Sequence, residues 1–492
     1  MTNKKRNKNL TLFVDLDGTL VTTDTLIESI VIFLKNNPFR IIYLLLWYIK
    51  GKVYIKKQLS QCAMPNVALL PYNKEVLDYL RKAKSSGQEI VLATAANHKI
   101  ADEVSSHLAI FDGVIATNQN YNLKGKYKLD AIINYVGEQP FDYIGDSKAD
   151  IPIWQEARKA IIINPSSSLL NNLSNKINVT TIKTFRRSSN VRVWIKAIRI
   201  HQWTKNILLF LPIIMAHRFF DLDMLLKNIL TFISFSLVAS AGYIINDILD
   251  FEADRQNPEK KQRPFAEGLL SFYSGFIGFL FLTLCGFALA IITLPILFSI
   301  ILLLYLILTL TYSLFLKRKT IIDVITLSVC YNIRIIAGGA AIAVPISSWL
   351  IVFSMFFFIS LAFMKRYADL ITLDDIKPNI IGRGYIKKDI PIVGSAGIAS
   401  GYISLLVLTL YIYSDHVNEL YKQPFLLWLV IPFILYLISR LWLKTVRGEM
   451  TSDPIIFIIK DRISYIILVM LIVVFSLAKI LDWGVFGNLL LK

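Results

Sequence analysis

The sequence predicts two folds in one chain: an N-terminal α/β domain with a Rossmann-type parallel sheet and a helical cap, then a C-terminal all-α membrane bundle of about nine transmembrane helices. Three observations predict this. The 492 residues are 55% hydrophobic and only 18% charged, far from the soluble average. Apolar residues come in short blocks broken by charge up to about residue 190 and in runs near twenty residues long thereafter. In the first part, three of the short blocks each end on a polar residue that is able to do chemistry. The expected boundaries are 1–165 for the first domain, 166–190 for a Ser/Asn-rich linker and 191–492 for the membrane domain.

The three blocks are Leu10 to Val14 ending at Asp15, Glu89 to Ala93 ending at Thr94, and Phe141 to Ile144 ending at Gly145-Asp146. Strands buried on both faces of a parallel sheet are apolar throughout, so the polar residues that follow mark the sheet's carboxyl edge, where such folds bind ligands. The roughly seventy residues between the first two strands exceed what a crossover needs, and Thr22 to Arg81 is expected to form the cap. Within it, Phe39 to Ile49 is too short to span a bilayer and is expected to fill the cap's core rather than lie against lipid. The basic N-terminus lacks the apolar core of a signal segment, which keeps the first domain in the cytoplasm.

Membrane spans are expected at roughly 206–219, 225–248, 269–291, 294–316, 321–343, 348–364, 391–413, 424–443 and 462–482. The basic, aromatic stretch Arg186 to Lys205, with Trp194 and Trp203, suits an interfacial entry. Loops after the even-numbered spans are basic and those after the odd-numbered spans are not, so the basic loops share the cytoplasmic side of an inner membrane and the C-terminus lies outside. The formal charge of +18 is spent on these loops, which argues against nucleic acid and for membrane lipids and phosphates. Cys62, Cys285 and Cys330 lie far apart and signal neither disulfides nor zinc.

After the second span the chain reads Asn246-Asp247-Ile248-Leu249-Asp250-Phe251-Glu252-Ala253-Asp254-Arg255 and continues through Arg263 to Pro264. On a helix, Asp247, Asp250 and Asp254 share one face with Asn246 beside them. Carboxylates so close at a membrane boundary call for a cation, and Mg2+ bridging carboxylates to a diphosphate is the chemistry that fits. This segment resembles the aspartate-rich signature of the UbiA family of intramembrane prenyltransferases, which implies nine helices, a magnesium-bound diphosphate and a cytoplasmic site. The family's second DxxxD motif is incomplete here, since Asp323 is followed four residues on by Leu327.

His201-Gln202-Trp203-Thr204-Lys205-Asn206, the Asp250 to Pro264 stretch, Asp323 with Tyr331 and Arg334, and Lys365-Arg366-Tyr367-Ala368-Asp369-Leu370 resemble instead the decaprenyl-phosphate phosphoribosyltransferase subfamily. That resemblance implies phosphoribosyl diphosphate as donor and a polyprenyl phosphate lipid as acceptor. On it, Asn246, Asp247, Asp250 and Asp254 hold Mg2+; Lys205, Arg255, Arg263, Lys365 and Arg366 contact phosphates; Asp323 orients ribose or a second metal; and Tyr331 and Arg334 line the site. Two rival readings are prenyl transfer from an isoprenoid diphosphate to an aromatic acceptor, and a membrane scaffold without catalysis.

Asp15-Leu16-Asp17-Gly18-Thr19 supplies a nucleophilic carboxylate and a second one placed to act as acid and base. Thr94 offers a hydroxyl to phosphate, Lys128 a neutralising charge, and Asp146 and Asp150 metal-binding carboxylates. These motifs resemble the haloacid dehalogenase (HAD)-like phosphatases over about residues 10–165. The resemblance implies a Mg2+-dependent phosphohydrolase with Asp15, Asp17, Asp146 and Asp150 at the metal, removing a phosphate from the neighbouring domain's product or from a related phosphomonoester.

Overall fold

The structure is a computed structural model that describes residues 10–118, 122–163, 179–182, 191–373, 382–414, 417, 420–450 and 453–480. It divides into two compact units, one of Met1–Ile198 with Ile244–Ile277 and one of Arg199–Tyr243 with Gly278–Lys492. The aspartate-rich segment is therefore part of the same unit as the α/β domain.

In the first unit, β1 (Thr11–Val14) leads to a cap of three helices, α1 (Thr25–Asn36), α2 (Ile41–Ile49) and α3 (Lys52–Cys62). Then come α4 (Lys74–Ser85), β2 (Glu89–Asn97), α5 (His98–Leu108), β3 (Gly113–Thr117), α6 (Lys126–Val136), β4 (Phe141–Gly145), α7 (Ile151–Glu156), β5 (Lys159–Ile163) and β6 (Val179–Ile182). The six strands form one parallel sheet in the order β3-β2-β1-β4-β5-β6. The chain winds one way from β1 to β3 and the other way from β4, so the switch point lies between β1 and β4, where open α/β sheets bind ligands.

Val14 is in register with Leu92 on one side and Ile144 on the other. Asp15 and Asp146, which follow β1 and β4, and Thr94, near the carboxyl end of β2, thus share one edge. Apolar side chains of both sheet faces are fully buried, Leu12 and Val14 on one and Phe13 and Tyr143 on the other. The helix α4, expected as cap, instead covers the sheet with Val76 and Leu80.

Three differences from the sequence expectations have physical causes. First, β6 lies inside the stretch expected as linker: its backbone pairs with β5 and completes the sheet, and the rest of 166–190 lies outside the described residues. Second, Phe39 to Ile49 does not fill the cap's core. That core is one stripe wide, built on Phe33, Leu44, Ile55 and Leu59, so α2 contributes Leu44 with Trp47 packed beside it. Phe39, Ile42, Leu45, Tyr48 and Ile49 are left more than half exposed.

Third, the described residues hold eight helices long and apolar enough to cross a membrane, not nine: Leu222–Gln256, Phe272–Thr293, Ile296–Leu314, Ile322–Ala341, Ser348–Ile371, Lys387–Ile412, Pro424–Val446 and Arg462–Ile480. The first expected span is a 3₁₀ helix over Ile200–Phe210 followed by a short α-helix over Leu211–Met215. Lys205 and Asn206 in its middle are buried and bonded, Lys205 to Asp453 and Asn206 to Ser236 Oγ at 2.9 Å.

Candidate functional site

The first cluster lies at the carboxyl edge of the sheet. Asp15 follows the central strand and accepts a hydrogen bond from its neighbour's amide, Leu16 N to Asp15 Oδ1 at 2.8 Å. Its other oxygen meets Lys128 Nζ at 2.9 Å. Lys128, reaching in from α6, also lies 3.4 Å from Asp150 Oδ1 and 3.0 Å from the Tyr143 hydroxyl, which itself donates to Asp150 at 2.9 Å. Burial would push the Lys128 ammonium down, but the Asp15 and Asp150 carboxylates outweigh it and hold the pKa above its ordinary range.

Asp15, Asp146 and Asp150 each offer an oxygen within 4.8 Å of the others, the grouping that suits a metal ion among the described residues. Gly18, at φ +78°, is required here: a Cβ would come within 2.2 Å of Asp146 Oδ2. Thr19 Oγ1 donates to Asp146 Oδ1 at 3.3 Å.

Asp17 stands outside that carboxylate group. Its Oδ1 accepts from Thr25 N at 2.8 Å, at the start of the cap's first helix. Burial and the nearby Asp24 push its carboxyl up to about 8, so it carries a proton at neutral pH. Thr94 is fully buried, its hydroxyl accepting from Ala96 N at 3.0 Å.

Sequence reasoning missed Lys56, on α3. Its ammonium bonds to Ala95 O at 2.6 Å and Asn122 Oδ1 at 2.7 Å, and burial lowers its pKa against the pull of Asp17 and Asp24. Only its place in a lysine pair, Lys56-Lys57, was visible beforehand.

The aspartate-rich segment closes the helix Leu222–Gln256. Asp247 and Asp254 are buried, and Arg263, folded back from the following turn, joins them: its Nη1 lies 3.2 Å from Asp247 Oδ1 and 2.6 Å from Asp254 Oδ2. Asn246 and Asp250 are half-buried on the same stretch.

Arg255, expected at a substrate phosphate, is held by protein groups. Its guanidinium forks onto Glu28 of the cap at 2.6 and 3.1 Å, donates to Ala266 O at 2.9 Å and lies 4.8 Å from the Phe251 ring centre. Glu28 is wholly buried and is further held by Thr23 Oγ1 at 2.5 Å. Nothing in its local sequence pattern announced that pair, except that Glu28 is the one acid in the helix Thr25–Asn36.

The second unit holds two polar clusters of its own. In one, Lys205 bonds to Asp453, which caps the helix Pro454–Lys460 by accepting from Ile455 N at 3.2 Å. Lys365 is half-buried, with Asp453 and Lys205 among the charges that act on it. Tyr331 stacks on Phe358 at 4.7 Å and lies under the Arg334 guanidinium at 5.5 Å. Arg334 is consumed by the protein: Asn206 Oδ1 at 2.8 Å, the Tyr305 hydroxyl at 2.9 Å and the Cys330 carbonyl take its donors. It ties the 3₁₀ helix to two membrane helices.

In the other cluster, Asp323 is fully buried and accepts from Arg366 Nε at 2.6 Å, the Tyr385 hydroxyl at 2.6 Å and Arg383 Nη1 at 3.4 Å. Arg366 also holds Asp369 at 2.9 Å, and Arg383 the Tyr312 hydroxyl at 3.0 Å. Arg383 and Tyr385 were not anticipated. Leu327, where the second carboxylate of a DxxxD motif would stand, packs against an apolar cluster.

Comparison with known proteins bears on this pattern. The model of the UbiA prenyltransferase family matches residues 208–457. The chain belongs to the UbiA prenyltransferase family. A relative over nearly the full length is an uncharacterized protein, y4nM, of Sinorhizobium fredii, 35% identical across 94% of this chain and 89% of its own. The decaprenyl-phosphate phosphoribosyltransferase of Mycobacterium tuberculosis is 35% identical over 180 residues, 36% of this UbiA-family chain and 59% of that enzyme. A HAD family hydrolase from Salmonella enterica is similar in structure over 37% of this chain and 71% of its own, at 11% identity and a TM-score of 0.27. The chain thus couples a UbiA-family multi-pass membrane domain to a parallel α/β domain.

Proposed function

We propose that this UbiA-family chain transfers 5-phosphoribose from phosphoribosyl diphosphate to a polyprenyl phosphate at the cytoplasmic face of the inner membrane, and that its α/β domain then removes a phosphate from the product or a related phosphomonoester. The observation that carries the first half is the 180-residue similarity to a decaprenyl-phosphate phosphoribosyltransferase. An aspartate motif ending in Leu327 rather than a carboxylate supports it.

The chemistry asks little of a general base. A phosphate monoester is already anionic near neutral pH, so one of its oxygens bonds to the anomeric carbon while the bond to diphosphate breaks and its electron pair leaves with that group. Asn246, Asp247, Asp250 and Asp254 would hold Mg2+, which would supply positive charge to the leaving diphosphate, and Arg263, now on Asp247 and Asp254, would exchange a carboxylate for a phosphate oxygen.

In the α/β domain, Asp15 attacks phosphorus, and protonated Asp17 gives its proton to the departing alcohol oxygen. Asp17 then takes a proton from the water that hydrolyses the aspartyl phosphate. Lys128 neutralises the transferring group, and the hard carboxylate set of Asp15, Asp146 and Asp150 fits Mg2+.

The test is radiolabelled phosphoribosyl diphosphate given to the full chain in proteoliposomes with polyprenyl phosphate and Mg2+. Lipid-linked label is expected, reduced by about 10²-fold or more in Asp247→Asn. In Asp15→Asn the labelled lipid should keep its 5-phosphate. The family's description as prenyltransferases fits a second reading, prenyl transfer from an isoprenoid diphosphate to an aromatic acceptor; no lipid-linked label from phosphoribosyl diphosphate, with a prenylated product formed from a prenyl diphosphate and an aromatic acceptor, would establish it instead.

A further inference from the structure

The cap of the α/β domain carries an apolar helix that its own fold does not use. Across Pro38–Ile49, Phe39, Ile41, Ile42, Tyr43, Leu45, Leu46, Tyr48 and Ile49 range from 52% to 81% exposed, while Leu44 alone is buried. In a soluble domain so large a continuous apolar patch marks a contact surface.

Charge says which kind. From residue 29 to residue 73 the chain contains Lys35, Arg40, Lys50, Lys52, Lys56 and Lys57 and no Asp or Glu. Lys50 and Lys52 are exposed directly after the apolar helix, and Arg40 stands at its start, over the Phe33 ring. Aromatic side chains capable of sitting at a lipid headgroup boundary, Phe39, Tyr43, Trp47 and Tyr48, fall within the same ten residues. A protein partner of acidic surface would satisfy the lysines but not eight outward apolar side chains. An anionic bilayer satisfies both, with the apolar face in the acyl boundary and the ammonium groups at the headgroups. The bilayer is also at hand, since this unit includes residues 244–256 and 272–277, the ends of two membrane helices.

We infer that Pro38–Ile49 is a monotopic membrane anchor that seats the cap in the surface of an anionic bilayer. The cap closes over the carboxyl edge of the sheet, with Lys56 inside it, so the anchor ties the entrance of the Asp15 site to the lipid surface. A soluble phosphomonoester would then gain nothing from the arrangement, whereas one carried on a lipid would arrive at the entrance by diffusion in two dimensions. The inference about membrane contact stands on exposure and charge and does not depend on which lipid the transferase uses.

The experiment uses the full chain in nanodiscs containing about a quarter anionic lipid, with Cys62, Cys285 and Cys330 replaced by serine or alanine. Spin labels are placed one at a time at Ile42→Cys and Leu46→Cys, and at Glu103→Cys on the exposed face of α5 as the water reference. Accessibility to molecular oxygen and to a water-soluble nickel chelate reads immersion. The labels at 42 and 46 are expected to favour oxygen over nickel while that at 103 does not. Adding Lys50→Glu and Lys52→Glu should lower the immersed fraction on the order of tenfold. The inference is overturned if the labels at 42 and 46 are as open to nickel as the one at 103. It is equally overturned if they are shielded from both reagents, which would mean that protein, including a second copy of the chain, covers the helix. All three label sites are on the surface, so the fold is not at stake in the comparison.

Discussion

Two carboxylate clusters in the first unit are built in opposite ways. Asp15, Asp146 and Asp150 come from loops at the ends of neighbouring strands and converge until their oxygens lie within 4.8 Å of one another. Asp247 and Asp254 come from one helix, seven residues apart, which is a rise of about 10 Å. Their side chains are drawn together on one nitrogen, Arg263 Nη1, which lies within reach of both. Loops can bring charges to a point, whereas a helix sets them in a row. A point suits one ion; a row suits a longer charged object, and the guanidinium of Arg263 lies against it.

The largest effect that would break this comparison belongs to the converged cluster. Lys128→Ala should cost the proposed phosphatase activity about 10³-fold or more in kcat, because the buried carboxylates would then repel an incoming phosphate. Kinetics with a soluble phosphomonoester measures it. A loss under tenfold would mean that Lys128 only props the fold.

In the row, Arg263→Ala removes the guanidinium that meets both buried carboxylates, Asp247 and Asp254, a destabilisation of about 3 kcal/mol. Millimolar Mg2+ should recover much of it in thermal melts of the variant. Melts unchanged by Mg2+ would break the claim that the row is a cation site.

The smallest effect sets the baseline. Arg440 forks onto a single carboxylate, Asp461, at 2.6 and 2.9 Å, and Asp461→Asn should cost roughly 0.5–1 kcal/mol. The Arg440 hydrogen bond holds the Asp461 carboxyl below its ordinary range. Its contribution is therefore complete above the unfolded carboxylate pKa of about 4 and is lost as pH falls below that value. Melts of the wild type and variant should converge in acid.

What the sequence disclosed, and what it did not, follows the same division between local and distant. Asp15, Thr94, Asp146 and Asp150 could be found because each follows an apolar run, and a strand's end is a local signal. Lys159–Ile163 was legible in principle, as Ala160 to Ile163 is such a run, but no polar catalytic residue follows it to draw notice. Val179–Ile182 is a four-residue edge strand in polar surroundings, with too little pattern to separate it from a linker.

Lys56, Glu28, Asp453, Arg383 and Tyr385 were hidden for a different reason. Each meets partners tens to hundreds of residues away, and no periodicity reports that. Leu44 illustrates the limit in the other direction. Composition made the whole of Phe39–Ile49 a candidate core, yet the width of the cap admits one stripe of it.

The buried pair of Glu28 with Arg255 carries a lesson about how separable the two activities are. Glu28 belongs to the cap of the α/β domain, and its guanidinium partner, Arg255, lies well beyond the expected linker. Thr22 and Thr23 also fit against Gly268, where a Cβ would come within 2.2 Å of a threonine hydroxyl. Cutting the gene at the linker would therefore strip the cap of the guanidinium that neutralises Glu28 and of the turn that packs on Thr22 and Thr23, so the amino-terminal product would lack part of its own unit.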